Sequence, residues 1–437
     1  MIQGIIFSLL LIAGAGFFAY NMRKIIRNIN LGRDINRTDH PGTRWMTMIM
    51  VALGQSKMVK RPIAGFLHII VYAGFVIINI EVLEIIIDGI LGTHRVFAKP
   101  LGSFYNILIG SFEWLAFGVL AACIIFLIRR YVIRLKRFIS RDLQGWPNND
   151  ATIILATEII LMSLFLTMNA ADYLLQQRDV PHYIRAGAFP VSSLIAPLLN
   201  SFHTETLIVI ERFCWWLHIG GILLFLNYLP YSKHFHILLA FPNTWYSNLE
   251  KKGKFTNVES VTGEVRLMMD PSAVPPAVDP TAAPIRFGAK DINDLSWKNL
   301  MDAYSCTECG RCTSVCPANI TGKLLSPRKI MMDTRDRMEE VGRGIDQHGT
   351  GYEDGKALLN DYIQPEELWA CTTCNACVEA CPVNIDPLSI IVEMRRYMVM
   401  EQSSAPAELN GMFTKIENNG APWQFSPADR LNWVNQD

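Results

Sequence analysis

The sequence predicts an all-α protein in which a five-helix transmembrane bundle precedes a cytoplasmic helical domain. Three observations predict this class. The first 240 of the 437 residues contain five long apolar stretches, each close to the about 20 residues that a helix needs to span a bilayer. The polar remainder contains no convincing strand pattern. Two cysteine motifs in that remainder begin 65 residues apart, at positions 306 and 371, which leaves room for helices between them.

The apolar stretches are the predicted membrane spans, and they cover residues 2–21, 63–87, 105–128, 151–170 and 206–229. In the first stretch the basic residues follow the apolar run and no clear A-x-A site appears, so we expect a retained helix rather than a signal peptide. Segment 43–60 is semi-apolar but too short to span, which predicts a helix lying at the membrane interface.

Basic residues are concentrated in the loops on one side of the predicted bundle. The loop 22–62 contains nine, the loop after the third span contains six, and the loops on the opposite side contain four. The positive-inside rule therefore predicts an outside N-terminus and a cytoplasmic C-terminal part. We expect a multi-pass protein of the bacterial inner (cytoplasmic) membrane.

Composition divides the chain into four parts, namely a membrane domain of 1–242, a linker of 243–290, a cysteine-containing domain of 291–400 and a tail of 401–437. The proline content of the linker is typical of a semi-extended segment, with Pro271, Pro275, Pro276, Pro280 and Pro284. Hydrophobic periodicity predicts helices over 291–304, 326–340, 386–401 and 405–417.

Eight of the ten cysteines form two copies of the pattern C-x₂-C-x₂-C-x₃-C-P. This is the spacing of bacterial ferredoxins with two [4Fe–4S] clusters, in which the fourth cysteine of each motif binds the other cluster. We therefore define a first set of ligands as Cys306, Cys309, Cys312 and Cys381. The second set is Cys371, Cys374, Cys377 and Cys316. The insertion between the motifs favours a helical ferredoxin domain over the small β-rich kind.

Structural zinc sites and disulfides are the alternatives for these cysteines. Zinc sites commonly use paired C-x₂-C hooks, without a third cysteine at the same step and a proline after the fourth. Disulfides need an oxidising compartment, whereas the predicted topology places both motifs in the cytosol. The remaining cysteines, Cys123 and Cys214, lie in apolar runs and are expected to be buried structural thiols.

Three histidines lie in or beside the predicted spans: His68 in the second, His218 in the fifth and His236 just beyond it. The 18 residues from His218 to His236 equal five helical turns, so both would share one face, about 27 Å apart on an unbroken helix. Histidines on facing helices can hold a b-type haem through two imidazoles. The alternative is that each is an ordinary polar residue between helices. Close-approach surfaces for a flat macrocycle are expected at Gly65, Gly74, Gly220 and Gly221.

The stretch from Trp216 to Ile237 reads W-L-H-x₁₇-H-I with L-P-Y-S between. It resembles the last helix of the cytochrome b subunit of respiratory nitrate reductases, a domain shared with membrane-bound heterodisulfide reductase. The resemblance implies two ligand histidines on the second helix and two on the fifth. His68 matches the first of the second-helix pair, whereas Ile78 occupies the position of the other. By the pairing of that family, one haem b between His68 and His236 is implied. Depth along the spans also allows His68 to pair with His218, and a second haem, if bound, would have His218 as a ligand.

The cysteine-containing part resembles iron–sulfur oxidoreductases related to heterodisulfide reductase, through Trp297–Leu300, Cys306–Cys312, Cys316–Ala318 and Thr321–Arg328. Many such relatives continue into two cysteine-rich CCG domains after a tail like Asn418–Trp433, and the sequence contains no CCG cysteines. The resemblance implies a separate CCG-type subunit. It also implies a soluble donor such as an electron-transfer flavoprotein or a flavin dehydrogenase, and membrane quinone, with menaquinone favoured.

Acidic and basic residues number 40 each, which gives no argument for nucleic acid. The sequence contains no Gly-rich phosphate loop, Ser-His-Asp set or flavin fingerprint, so machinery for oxidising an organic substrate is not visible. Carboxylates in or near the spans often mark proton routes or ligand pockets, and here they are Glu81, Glu84, Glu113, Glu158 and Glu211. Arg95 and Lys99 are expected near the outer surface, in a solvated loop; the alternative, implied by the resemblance, is a quinone headgroup site.

These observations predict a membrane-bound electron-transfer subunit. Electrons would pass between a cytoplasmic partner, two [4Fe–4S] clusters, haem b and quinone. One alternative is quinol-dependent electron supply to a cytoplasmic disulfide-type reductase, since direction depends on hydrogen bonds and burial around each centre. A membrane-anchored iron–sulfur redox sensor is another. A transporter is disfavoured because inverted repeats and broken helices are missing.

Overall fold

A computed structural model describes residues 2–272, 274 and 286–435. The linker residues Pro275, Pro276, Pro280 and Pro284 lie outside this described part. Its helices are α1 (Ile2–Ile29), α2 (Pro41–Met48), α3 (Pro62–Leu91), α4 (Ala98–Leu101), α5 (Ser103–Tyr131), α6 (Trp146–Gln177), α7 (Ser192–Leu199), α8 (Thr204–Tyr228), α9 (His236–Trp245), α10 (Glu259–Met269), α11 (Trp297–Ser305), α12 (Pro317–Ile320), α13 (Pro327–His348), α14 (Leu358–Asp361), α15 (Pro365–Trp369), α16 (Ala376–Ala380), α17 (Pro387–Met400) and α18 (Ala407–Asn419).

The predicted all-α class is confirmed, because the described residues contain no β-strand and only two isolated bridges. Five helices are long and apolar enough to cross a membrane: α1, α3, α5, α6 and α8, the last extended to Tyr231. Helix α6 packs against α5 and α8, helix α3 packs against α5, and α1 packs against α3 and α8. The core of this bundle contains fully buried Ile109, Phe112 and Phe165.

The cysteine-containing domain is seated on one end of the bundle. At the end of α1, Lys24 forms a 2.8 Å ion pair with Asp346, and Asn28 Nδ2 donates to the Tyr304 hydroxyl at 3.0 Å. A Cβ at Gly32 would lie 2.6 Å from the backbone nitrogen of Trp297, so only glycine allows this approach. Both loops that the charge pattern places in the cytoplasm therefore contact this domain, the second through Asp142 and Arg328.

The helices predicted in the polar part are present. The first begins later than predicted, at Trp297, because Ser296 caps α11 by accepting from Asn299 N. Segment 43–60 contains α2 followed by a π-helical turn, Ile49–Leu53, with Trp45 and Met46 exposed. Inside the predicted linker, the structure contains an unpredicted helix, α10.

The expectation that His218 and His236 share one face of a helix is wrong. Helix α8 ends at Tyr228, two 3₁₀ turns follow (Leu229–Tyr231 and Lys233–Phe235), and α9 begins at His236. Pro230 lacks a backbone N–H and cannot continue the α-helical ladder. The two histidines are therefore on separate helices, and the phase argument does not apply to them.

Candidate redox centre

The two cysteine loops contain left-handed residues at two equivalent positions. In the first loop Glu308 (φ 54°) and Gly310 (φ 70°) are left-handed, and in the second loop Thr373 (φ 55°) and Asn375 (φ 60°) occupy the equivalent positions. Successive residues of this kind turn backbone N–H groups inward and form anion-binding concavities. The sequence repeat is therefore also a structural repeat.

The fourth cysteine of each motif has neighbours among the cysteines of the other motif. The Cys312 thiol lies within electrostatic range of Cys306, Cys309 and Cys381, and also of Cys377 from the second motif. The Cys377 thiol has Cys371 and Cys316 as neighbours. Reciprocal ligation of two clusters requires these proximities, and the two ligand sets stay a prediction.

Burial and backbone donors define the environment of these sulfurs. Burial raises the pKa of the Cys381 thiol to about 12 and that of Cys306 to about 11. Backbone N–H groups of Ile385 and Thr373 donate to Cys381 Sγ at 3.3 Å and to Cys371 Sγ at 3.4 Å. Such donors stabilise thiolates and tune the potential of a bound cluster. Cys374 is the one exposed thiol among the eight described motif cysteines.

The spacing of these thiols bears on the zinc alternative. Among the residues that the structure describes, no three His, Cys, Asp or Glu side chains converge as ligands of one metal ion. A cubane takes one thiolate at each iron, so its ligands stand farther apart than those of a single zinc ion. Sulfur–sulfur separations therefore distinguish the two alternatives.

His68 on α3 faces His236 at the start of α9, with ring centroids 6.5 Å apart and planes tilted by 40°. His236 Nδ1 lies 3.0 Å from the Lys233 carbonyl oxygen, which as acceptor leaves Nε2 free. His68 Nδ1 is buried without a hydrogen-bond partner among the described residues. Two imidazoles bound to one metal, with metal–nitrogen bonds of about 2 Å, would have centroids about 6 Å apart. Burial lowers the pKa of His236, and the resulting neutral imidazole is the metal-binding form.

His218 lies apart from this pair. It is buried on α8, its Nδ1 lies 3.0 Å from the Leu161 carbonyl oxygen, and its ring packs against Phe165. The four glycines predicted to face a macrocycle differ in the space beside their Cα atoms. A Cβ at Gly65, Gly74 or Gly221 would meet protein atoms within 2.8 Å. Only Gly220 of these four has open space beside it.

Lys233 connects the histidine pair to the first cysteine loop. The Lys233 carbonyl oxygen accepts a hydrogen bond from His236 Nδ1. The Lys233 ammonium pairs with the Glu308 carboxylate, which also pairs with Arg335 at 2.6 Å. Burial opposes the charged form of Glu308, but Arg335 and Lys233 outweigh it and lower the pKa of that carboxyl. The sequence analysis did not find this link, although Lys233 and Glu308 each lie within three residues of a proposed ligand.

A second polar site occupies the opposite end of the bundle. A cavity of about 200 Å³ is lined by Glu81, Glu84, His94, Asp172 and Glu211, among others. Glu81 Oε2 and His94 Nδ1 are buried there without a partner in the described part of the chain. Of the five carboxylates singled out in the sequence, three line this cavity. Glu113 instead accepts from the backbone N–H groups of Val191 and Ser192, and Glu158 is half-buried elsewhere on α6.

The expectation that Arg95 is solvated is wrong, whereas Lys99 is exposed. Arg95 is 7% exposed and donates from Nε to Asp172 at 2.7 Å and from Nη2 to Asn169 at 2.9 Å. A buried arginine needs such a partner because an unpaired charge in an apolar interior is costly. Asp172 lies 77 residues later in the chain, so no local pattern indicates the pairing.

Comparison with known proteins agrees with the cysteine geometry. Residues 305–385 match the family model of a 4Fe-4S dicluster domain. Relatives include the probable iron-sulfur-binding oxidoreductase FadF of Bacillus subtilis (strain 168), 27% identical over 95% of this chain and 58% of the relative. The EtfAB:quinone oxidoreductase of Syntrophomonas wolfei is 28% identical over 92% of this chain and 55% of its own length.

A third relative is one component of the dihydromethanophenazine:CoB–CoM heterodisulfide reductase of Methanosarcina mazei, 29% identical over 34% of this chain and 36% of the relative. The chain spans just over half the length of the first two relatives. No solved structure matches. The relatives are iron–sulfur oxidoreductases and heterodisulfide reductase components, and they support an oxidoreductase role for this membrane chain.

Proposed function

We propose that this chain is the membrane electron-transfer subunit of a quinone-linked iron–sulfur oxidoreductase. Two [4Fe–4S] clusters and one haem b, when bound, would supply one-electron carriers. The cysteines of the first and second sets would hold the clusters. His68 and His236 would hold the haem, and the domains follow the boundaries given above, with the cysteine-containing domain on the cytoplasmic side.

The observation that carries the proposal is that the first cysteine loop lies directly beside the His68–His236 pair. Lys233 bridges Glu308 of the loop to His236. On the other side, Arg61, at the start of α3, donates to Ser314 Oγ at 2.7 Å. The predicted cluster site is thus adjacent to the histidine pair of the membrane domain, as electron transfer between them requires. A sensor without turnover gives no reason for this proximity.

We assign the cavity at the far end of the bundle to the quinone headgroup. Its partnerless polar atoms, on Glu81 and His94 among the described residues, suit the carbonyl and hydroxyl oxygens of a quinone and quinol. Glu81 is 13 residues from His68 on α3, about 20 Å along the helix. His218, seven residues from Glu211 on α8, lies between them. A haem stoichiometry of two would therefore add His218 as ligand of the second haem.

The cytoplasmic partner is proposed to be a CCG-type cysteine-rich subunit. It would receive electrons from a flavoprotein such as an electron-transfer flavoprotein or a flavin dehydrogenase. The similarity to a protein named EtfAB:quinone oxidoreductase supports this donor class. Exposed aromatic residues in the tail support a docking surface, namely Trp423, Phe425 and Trp433.

The reverse direction is the second candidate, in which quinol supplies electrons to a cytoplasmic disulfide-type reductase. The similarity to a protein named for dihydromethanophenazine:CoB–CoM heterodisulfide reductase favours it. Reduction potentials of the bound centres, measured against the quinone couple, would distinguish the two directions.

Purified protein with quinol added tests the proposal. We expect about eight irons as two cubanes, a pyridine haemochrome of b type, and a reduced haem spectrum after quinol addition. His68→Ala and His236→Ala should each abolish the haem spectrum while the cluster EPR signals remain. His203→Ala, an outer-end histidine distant from both proposed ligands, is the matched control. Zinc in place of iron, or full haem spectra in both ligand variants, would contradict the proposal.

A further inference from the structure

The side chain of Arg311 lies between the two proposed redox centres. Arg311 stands between Cys309 and Cys312 in the first loop, yet it is only 5% exposed. Its Nη1 donates to the Lys57 carbonyl at 2.9 Å, and its Nη2 contacts Met58 Sδ at 2.8 Å. The guanidinium therefore extends from the cysteine loop onto the segment that precedes α3.

That segment lies against the helix that carries His68. A Cβ at Gly65, three residues before His68, would lie 2.7 Å from the Met58 carbonyl oxygen and 3.2 Å from Val59 Cα. The absence of a side chain at Gly65 is what allows the Met58 backbone to approach. Arg311 thus fixes the first cysteine loop to the turn of α3 next to His68.

The positive charge of Arg311 acts on both proposed redox centres. It lies within electrostatic range of the Cys309 and Cys381 thiols and of the His68 imidazole. An arginine stays protonated at every physiological pH, so its charge is constant. Reduction adds an electron to each centre, and a fixed cation in a poorly solvated site favours the reduced state.

We propose that Arg311 is a positioning residue that raises the reduction potentials of both the first cluster and the His68–His236 haem, and that couples them mechanically. This inference rests on the proposed function. It goes beyond that function by naming a residue whose charge sets the reduction potentials of both centres.

Redox titration of the full chain tests this. Arg311→Gln should lower both midpoint potentials, each by about a tenfold change in the reduction equilibrium, about 59 mV for a one-electron couple. The clusters are followed by EPR and the haem optically. Arg311→Lys retains the charge but loses the planar fork, so both potentials should stay within about 20 mV of the unmodified protein, roughly a twofold change.

Arg395 is the matched control at the other cysteine loop. Its Nη2 donates to the Cys371 carbonyl at 2.5 Å, and its Nε donates to the Leu368 carbonyl at 3.0 Å. Arg395→Gln should therefore lower the potential of the second cluster alone. The haem and the first cluster should titrate as in the unmodified protein.

Unchanged potentials in Arg311→Gln, with clusters and haem present, would overturn the inference and leave the proposed function standing. An unmodified chain without haem would overturn the proposed function itself. If Arg311→Gln does not retain its cofactors, Arg311→Lys still tests the inference: a drop of both reduction equilibria by tenfold or more, with the charge retained, would contradict the role of the charge.

Discussion

Single side chains connect sites that are far apart in this chain. Lys233 illustrates this, because its carbonyl orients His236 while its ammonium pairs with Glu308 of the first cysteine loop. Hydrogen bonds to a ligand imidazole fix its tautomer and ring orientation. The free nitrogen of His236 is thus directed by a residue that also holds the loop.

Reciprocal ligation gives a prediction at the residue scale. Cys316 belongs to the first motif but neighbours Cys371 and Cys377. Cys316→Ser should therefore damage the cluster of the second loop, whereas Cys312→Ser should damage that of the first. EPR of the reduced variants, with iron analysis, checks this. The same cluster lost in both variants would contradict the assignment.

The residues of the candidate site could be predicted from the sequence to different degrees. The eight cysteines follow from spacing, since three ligands of each cluster lie within one short loop. The His68–His236 pair came from a resemblance, because nothing local indicates which helices face each other. Arg311 and Lys233 were missed because their partners are more than 70 residues away in sequence, although each lies within three residues of a proposed ligand.

At the scale of elements, the apolar spans were the most predictable feature, since length and hydropathy suffice for them. Two features between the membrane spans and the cysteine motifs were not predicted correctly. Pro230 ends the helical stretch after α8, so counting turns from His218 to His236 failed. Helix α10 was missed because the prolines around it dominated the composition. Val261, Val265 and Met268 recur there at helical spacing, which was a usable signal.

The tail, residues 401–437, exposes aromatic side chains in the structure. Its aromatic residues are not covered by the cysteine-containing domain, because Trp423, Phe425 and Trp433 are 47%, 66% and 72% exposed. Clustered exposed aromatic side chains typically mark interfaces. Truncation after Asn418 should release a co-purifying partner while clusters and haem remain.

The matched control for this truncation is replacement of Lys415, a polar position on α18, by alanine. Co-purification followed by spectroscopy measures both variants. Retention of the partner by the truncated chain would contradict a docking role for the tail. Loss of the partner from Lys415→Ala as well would point to α18 rather than to the aromatic residues.

At the scale of the whole molecule, ion pairs between the loops and the cysteine-containing domain join its two halves. Arg328 is 1% exposed and pairs with Asp142 at 2.7 Å. Burial disfavours the charged carboxylate, but hydrogen bonds from Arg328 and Ser140 outweigh it and lower the pKa of Asp142 below 3.8. The stabilisation from this carboxylate is therefore complete above the unfolded-state pKa and is lost as pH falls through the folded-state value.

Asp142→Asn should reduce the free energy of unfolding by about 3 kcal/mol near neutral pH, because it leaves Arg328 buried without its charged partner. The difference from the unmodified protein should shrink below about pH 4. Thermal unfolding at several pH values measures it. Asp346→Asn, at a half-exposed pair with Lys24, should cost less than about 1 kcal/mol. Equal costs for the two variants would contradict the argument.

The interleaving of the two cysteine motifs also constrains how the protein matures. Under the proposed ligand sets, a nascent chain that has emerged only as far as Cys316 contains three ligands of one cluster and one of the other. The second set is complete only when Cys377 has been synthesised, and the first only when Cys381 follows four residues later. Iron limitation should consequently yield a mixture of empty and fully loaded chains, with few chains holding a single cluster.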